Sequence, residues 1–271
     1  LIAILQDMGS NCLIRKRDVS HPIHEQKKRT RAGDWLMRQR WYWVFMVVFL
    51  LLGGHVRAAT DDLDELREDG PPGQWVLVRH DELRHIKTFA RHEEGKRLRS
   101  FRAEGLLDAS MDALARVYTD VPNMPRWYWE TREARLLRKV SDREYYYYMR
   151  FNAPLSLPDR DAIFHAVIEP YTAKRGFLQI TVKAVPDFLP QKEGLVRVKA
   201  QDLYARFTPV GKDKVQFETE GYVDPGGNVP AWTINFVQKR VPYLIMVSLL
   251  RMSQMKDYTD ASTPPEFTLR E

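Results

Sequence analysis

The feature that most limits the fold of this chain is a long series of strand-like runs that no helix interrupts. Beyond residue 131, apolar and polar residues alternate with a period of two, which is typical of half-buried strands. Parallel strands need long crossover connections, usually helices, whereas antiparallel strands are joined by short turns. The pattern therefore predicts an antiparallel sheet, with six of its strands at 132–140, 144–151, 161–169, 177–186, 195–209 and 214–223.

Three more strands and two helices complete the predicted domain. These strands lie at 75–80, 83–91 and 96–107. A helix at 108–121 can be capped by Asp108 or Ser110, and a long helix from about 230 to 253 follows the last strand. A twisted sheet of about nine strands tends to curl, and a helix lying across it can leave an interior that side chains do not fill. We therefore predict an α+β fold, a curved antiparallel sheet wrapped on the C-terminal helix.

The basic charge of the chain belongs to its N-terminal segment. The formal net charge is +6, but residues 1–58 hold ten of the 42 Lys and Arg residues and four of the 36 Asp and Glu residues. Residues 59–271 are therefore formally neutral and show no basic, aromatic-interleaved patch, so we expect no nucleic-acid partner. The only cysteine, Cys12, lies outside this body, which excludes a disulfide or a thiolate metal site there. We predict no cofactor and no metal site.

The N-terminal residues have the pattern of an export signal behind an unusual leader. Two arginines precede a 14-residue apolar run at 41–54, and a cleavage-site pattern ends at Ala58. Residues 37–58 are therefore predicted to be a signal peptide, which makes the protein periplasmic or secreted. The alternative is an uncleaved inner-membrane anchor formed by the same apolar run. Residues 1–36 do not suit a position in front of such a signal, and we expect translation to start at Met37.

Four segments of the body occur in the order and spacing of a known family. They are "SFRAEGLLDASMDALARVYTD" (100–120), "MPRWYWETREARLL" (124–137), "APLSLPDRDAIFHAVI" (153–168) and "DPGGNVPAWTINFVQKRVPYLIMVSLLRM" (224–252). Together they resemble the START (StAR-related lipid transfer) domain, particularly its bacterial members. The resemblance covers residues 74–253, between an acidic helix and linker at 59–73 and a polar tail at 254–271.

The resemblance implies a helix-grip fold, in which the curved sheet holds the long helix around a hydrophobic tunnel. Members of the family bind a lipid or another hydrophobic molecule, so we expect a non-enzymatic monomer that makes transient membrane contact and has no catalytic residue. Two other functions stay open: an enzyme similar to the cyclases and aromatases of this fold, and an envelope adaptor. The acid/base groups available to such an enzyme are His165, Asp161 and the tyrosines at 145–148.

The long helix supplies most of the predicted ligand contacts. At 100° per residue, Trp232, Phe236, Tyr243 and Val247 share one stripe. The stripe is either ordinary core or, as the resemblance implies, tunnel wall, and the second interpretation makes all four ligand-binding candidates. Pro242 is expected to kink the helix and help it open.

Two polar residues of the same helix are also ligand-binding candidates. Asn235 matches the family-like Pro-Ala-Trp-x-x-Asn pattern and either contacts a headgroup or ties the helix to a neighbouring loop. Lys239 lies in the middle of the apolar stripe, where it either extends to solvent or faces a carboxylate or phosphate at the tunnel mouth.

Arg160 and Trp127 complete the set of predicted ligand-binding residues. Arg160 either forms an ion pair with Asp161 that fixes the entry to its strand or binds an anionic headgroup inside the tunnel. Trp127 and Trp129 flank a proline-rich turn and are expected to form part of the pocket wall or an interfacial anchor.

Overall fold

The computed structural model describes residues 72–153, 157–260, 262 and 264–271, without the side chains of Ala231, Trp232 and Asn235. The predicted leader, signal peptide or anchor, and acidic helix lie outside the described residues, so these stay predictions.

Ten strands form one sheet: β1 Val76–Asp81, β2 Ile86–Arg91, β3 Ser100–Leu107, β4 Thr131–Ser141, β5 Glu144–Phe151, β6 Arg160–Glu169, β7 Leu178–Ala184, β8 Val196–Arg197, β9 Ala200–Pro209 and β10 Val215–Asp224. Nine lie side by side in the order β1-β2-β3-β10-β9-β7-β6-β5-β4, each antiparallel to its neighbours. The two-residue β8 pairs in parallel with β6. The predicted antiparallel sheet of about nine strands is confirmed.

Three helices are described: α1 Met111–Thr119, α2 Ala231–Ser253 and α3 Lys256–Thr259, with 3₁₀ turns at Val121–Arg126 and Pro186–Phe188. Of the two predicted caps, Ser110 begins α1, because its Oγ accepts a hydrogen bond from the Ala113 N–H at 3.2 Å. The long helix α2 packs against β2, β3 and α1 and buries Met246, Leu249 and Met252. The sheet therefore holds the helix on one side, as expected.

The predicted strand at 195–209 is divided in the structure. Val196 and Arg197 leave the line of β9 and pair with the start of β6. The cause is the Arg197 side chain, which reaches the fully buried Asp161 of β6. Gly226 allows the backbone to pass close to this break, since a Cβ there would lie 2.5 Å from the Arg197 carbonyl oxygen, at a φ of +70°.

Gly221 lies where two central strands leave no room for a side chain. It pairs with Leu203 across β10 and β9, and a Cβ at Gly221 would overlap the Leu203 side chain and lie 2.8 Å from the Asp202 carbonyl oxygen. We expect Gly221→Ala to lower the free energy of unfolding by about 1–3 kcal/mol, because the strands must separate to admit the methyl group. Urea denaturation measures this loss. Gln216→Ala, an exposed change on the same strand, is the control, and equal stability of the two variants would contradict the prediction.

Candidate ligand-binding site

A cavity of about 220 Å³ lies under the N-terminal half of α2, at the end of the sheet where β9 begins and β5 and β10 end. Its wall is mainly apolar. The sheet side contributes Leu98, Phe101, Leu203 and Val223, and α2 contributes Ile234, Val237, Val241 and Ile245. A concave apolar space with few polar groups is the usual form of a small-molecule site.

The face of α2 that lines the cavity is not the predicted stripe. At 100° per residue, Ile234, Val241 and Ile245 lie within about 40° of one direction, and Phe236 and Tyr243 lie about half a turn away. The prediction that Phe236, Tyr243 and Val247 form tunnel wall is therefore wrong for the described cavity. The helix is apolar on several sides because its C-terminal half packs in the core. A single helical wheel for all 23 residues therefore combines the apolar face of one half with that of the other.

Phe236 and Lys239 lie on the solvent side of α2. The Phe236 side chain is 40% exposed, with the Arg240 guanidinium 5.0 Å from its ring centre. Lys239 is exposed too, in agreement with the interpretation that it extends to solvent. The cation in the middle of the predicted stripe was the sequence signal that this face is hydrated.

Trp127 and Val247 lie in the core rather than on the cavity wall. Trp127 is 4% exposed and packs edge-on against Tyr128, with 5.3 Å between ring centres. Val247 is half-buried and packs against the same core. Trp129, two residues along, does line the cavity. The side chains of Trp232 and Asn235 lie outside the description, so their predicted roles stay predictions.

Tyr243 anchors the middle of α2 to the first hairpin. Its hydroxyl donates a hydrogen bond to Asp81 Oδ2 at 2.6 Å, and the Arg79 guanidinium lies 3.5 Å from its ring centre. Arg84 also donates to Asp81, from its backbone N–H and from Nη1, at 3.0 Å each. The Tyr243 bond and those from Arg84 lower the pKa of Asp81 from its ordinary value of 3.8 to about 2.

We expect this anchor to make stability depend on pH in acid. Because the folded pKa of Asp81 is the lower one, its contribution is complete above about pH 4 and disappears as the pH falls toward 2. Tyr243→Phe should therefore lower the thermal midpoint at pH 7, and the gap from the parent should narrow near pH 2. The control is Tyr146→Phe, which changes a half-buried tyrosine on β5. A gap that stays constant with pH would contradict the role of Asp81.

The predicted ion pair between Arg160 and Asp161 is wrong. Successive strand residues point to opposite faces of a sheet, and Asp161 points away from the cavity. It accepts two hydrogen bonds from Arg197, Nε to Oδ1 at 2.9 Å and Nη2 to Oδ2 at 3.1 Å. Arg160 points the other way and borders the cavity. Sequence reasoning missed Arg197, which carries no local motif and lies 36 residues from its partner.

Five polar side chains join Arg160 on the described wall: Arg99, Asn152, Gln201, Thr233 and Gln238. Arg99 Nε donates to Gln238 Oε1 at 3.3 Å, and Gln238 Nε2 donates to the Arg99 carbonyl oxygen at 3.3 Å. Thr233 is 4% exposed, and its Oγ1 has no hydrogen-bond partner among the described residues. Of these six residues, the sequence analysis identified only Arg160. The signal that could have found Thr233 and Gln238 is the alternative face of α2, which carries amide and hydroxyl groups but no cation, whereas Arg99, Asn152 and Gln201 lie on other segments without a local signal.

The acid/base residues of the enzymatic alternative lie away from the cavity wall. His165 stacks on Tyr146, with 4.5 Å between ring centres, and its Nε2 lies 2.8 Å from Glu144 Oε1. Tyr145 and Tyr147 are buried in the core, on the opposite sheet face from Tyr146. No group of three His, Cys, Asp or Glu side chains in the described part of the chain could hold a metal ion. Nor does this part contain a helix long and apolar enough to cross a bilayer.

Comparisons with known proteins agree with this architecture. The model of the START domain family matches residues 56–255. A STAR-related lipid transfer protein fragment from Xanthomonas axonopodis is 30% identical, with a TM-score of 0.61 over 67% of this chain and 99% of that chain. Mouse phosphatidylcholine transfer protein is 26% identical over 52% of this chain and 67% of its own length. An uncharacterized protein from Pseudomonas aeruginosa is 23% identical over 59% of this chain and 77% of its own length.

Proposed function

The chain belongs to the START domain family, and we propose that it binds a lipid or another hydrophobic molecule, without chemical conversion, in the cavity under α2. The observation that carries this proposal is the mainly apolar wall that α2 completes. Affinity would come from apolar area removed from water, at about 25 cal/mol per Å² before the costs of association. The positions of His165 and Asp161, both off the wall, favour binding over catalysis.

A ligand with a long chain requires the cavity to expand. Typical ligand pockets measure about 300–1,000 Å³, which exceeds the 220 Å³ present here. Pro242 lies inside α2 and on the cavity wall, where it cannot donate the backbone hydrogen bond of a regular helix. We propose that the part of α2 before Pro242 moves, while Tyr243 and Met246 hold the rest against the sheet. This movement would also let the protein load and release its ligand at a membrane.

The likeness to mouse phosphatidylcholine transfer protein supports carriage as well as binding. We further propose that carriage occurs outside the cytoplasm, because of the export pattern at 37–58. N-terminal sequencing of the mature protein tests the export step, and the expected first residue is Ala59.

Lipid extraction of the purified protein, followed by mass spectrometry, tests the proposed function. We expect an apolar molecule to co-purify, or a fluorescent fatty-acid analogue to bind with its emission shifted to the blue by transfer out of water. If no apolar molecule is recovered and no analogue binds, the proposal is wrong.

A further inference from the structure

Arg160 is a buried cation without a carboxylate partner among the described residues. Its side chain is 8% exposed, and its one hydrogen bond within the described part of the chain runs from Nη1 to the Pro158 carbonyl oxygen at 2.6 Å. Burial lowers the pKa of the guanidinium, but arginine stays protonated in proteins. A buried charge that is neither paired nor fully hydrogen-bonded is costly. Its presence on the wall of a cavity therefore needs an explanation.

The two acids that flank Arg160 are held by other arginines. Asp159 Oδ2 accepts from Arg150 Nη2 at 2.7 Å and lies 3.7 Å from Arg132 Nε. Asp161 lies on the other face of the strand with Arg197. Each carboxylate pairs with another arginine, and although the charge of Asp159 acts to raise the pKa of Arg160, no carboxylate of the described residues forms an ion pair with it.

The described cavity wall carries no acidic side chain. It carries two arginines, Arg99 and Arg160. Thr233 presents a buried hydroxyl to which no other described residue hydrogen-bonds, in the first turn of α2, where the helix dipole is positive. A hydroxyl in this environment can donate to an anionic oxygen.

We propose that the ligand is an amphiphile whose head carries a net negative charge and no cationic group, with Arg160 as the ion-pair partner of the head and Thr233 as a second donor. This inference rests on the proposed function and adds the chemical class of the ligand. The shared chemistry is an anionic oxygen, which either a carboxylate or a phosphodiester supplies. A zwitterionic head would bring an ammonium group into a site that offers it no carboxylate, so its phosphate would gain less than that of a purely anionic lipid.

Four amphiphiles with the same oleoyl chain test this inference on the purified, delipidated protein. Oleate and oleoyl-lysophosphatidylglycerol are anionic, oleoyl-lysophosphatidylcholine is zwitterionic and monoolein is neutral. Displacement of a fluorescent fatty-acid analogue gives the four dissociation constants. We expect the two anionic compounds to bind at least about 10-fold more tightly than the other two, because hydrogen bonds to charged groups are stronger than those between neutral groups. The difference between oleate and the lysophosphatidylglycerol then shows which oxygen source the site prefers.

The variants separate a charge effect at the site from a change in net charge. Arg160→Gln should reduce the preference for anionic heads to less than about threefold, Arg160→Lys should retain part of it, and Thr233→Val should weaken anionic binding by a smaller factor. The control Arg138→Gln removes an exposed arginine and should retain the full preference. Arg160→Gln should also unfold at an equal or higher urea concentration, because it removes an unpaired buried charge.

The outcomes distinguish this inference from the proposed function. Equal binding of all four compounds, or binding of the lysophosphatidylcholine as tight as that of the anionic pair, overturns the inference and leaves the proposed function intact. Binding of none of them overturns the proposed function itself. A preference for anionic heads that survives Arg160→Gln overturns the assignment to Arg160.

Discussion

Arg197→Met should destabilise the protein by about 3–5 kcal/mol, the usual loss when one partner of a buried ion pair is removed. Asp161 is 0% exposed, and without Arg197 its carboxylate would stay buried with no counter-charge. The same guanidinium also donates to three backbone carbonyl oxygens of the loop before β8, those of Pro186, Leu189 and Pro190. The substitution therefore removes the ion pair and the centre around which this loop folds.

Urea denaturation measures this loss, and two further variants interpret it. Arg135→Met removes an arginine whose side chain is 46% exposed and which pairs with Glu133 at 3.3 Å, and it should cost less than about 0.5 kcal/mol. The double variant Asp161→Leu with Arg197→Met should recover part of the stability, because no uncompensated charge remains. If Arg197→Met unfolds at the same urea concentration as the parent, the pair does not stabilise the fold.

Val241→Trp should abolish ligand binding while the fold persists. Val241 is 9% exposed and faces the cavity from α2, next to Pro242. An indole at this position would occupy much of the 220 Å³ cavity and leave little room for the chain of a ligand. We expect affinity for a fluorescent fatty-acid analogue to fall by more than about 10-fold, which corresponds to about 1.4 kcal/mol.

The control for this change is Leu244→Trp, three residues along the same helix. Leu244 is 39% exposed and is not part of the cavity wall, so the same large side chain should leave binding within about twofold of the parent. Circular dichroism on both variants establishes that α2 still forms. Unchanged affinity in Val241→Trp would mean that ligands bind elsewhere on the protein.

Local sequence patterns were sufficient to predict the fold because the alternation of apolar and polar residues is visible within each strand. The alternation in "EYYYYMRF" places Tyr145 and Tyr147 on the same sheet face, and in the structure both lie in the core. The cap at Ser110 follows from residue chemistry within one turn. None of these features depends on which distant segment becomes the neighbour.

The site was harder to predict because it depends on contacts between distant segments. The rotation of α2 is set by its packing on β2, β3 and α1, and the apolar residues of the helix do not specify it alone. Lys239 indicates the hydrated side of the helix, but four apolar residues share its stripe and favour the opposite interpretation. The partner of Asp161 could not be chosen among many arginines until β8 was known to lie beside β6.

The position of β10 has a consequence for the time course of folding. It is the last strand to be synthesised, yet it alone joins β3 on one side to β9 on the other among the described strands. Until residues 215–224 emerge, the chain holds two separate half-sheets, each with an open edge that can pair with another molecule. Closing the sheet requires contacts more than 100 residues apart, such as Phe217 with Gly105, and such contacts slow folding. Cooperative folding should therefore begin only after nearly the whole domain has been made.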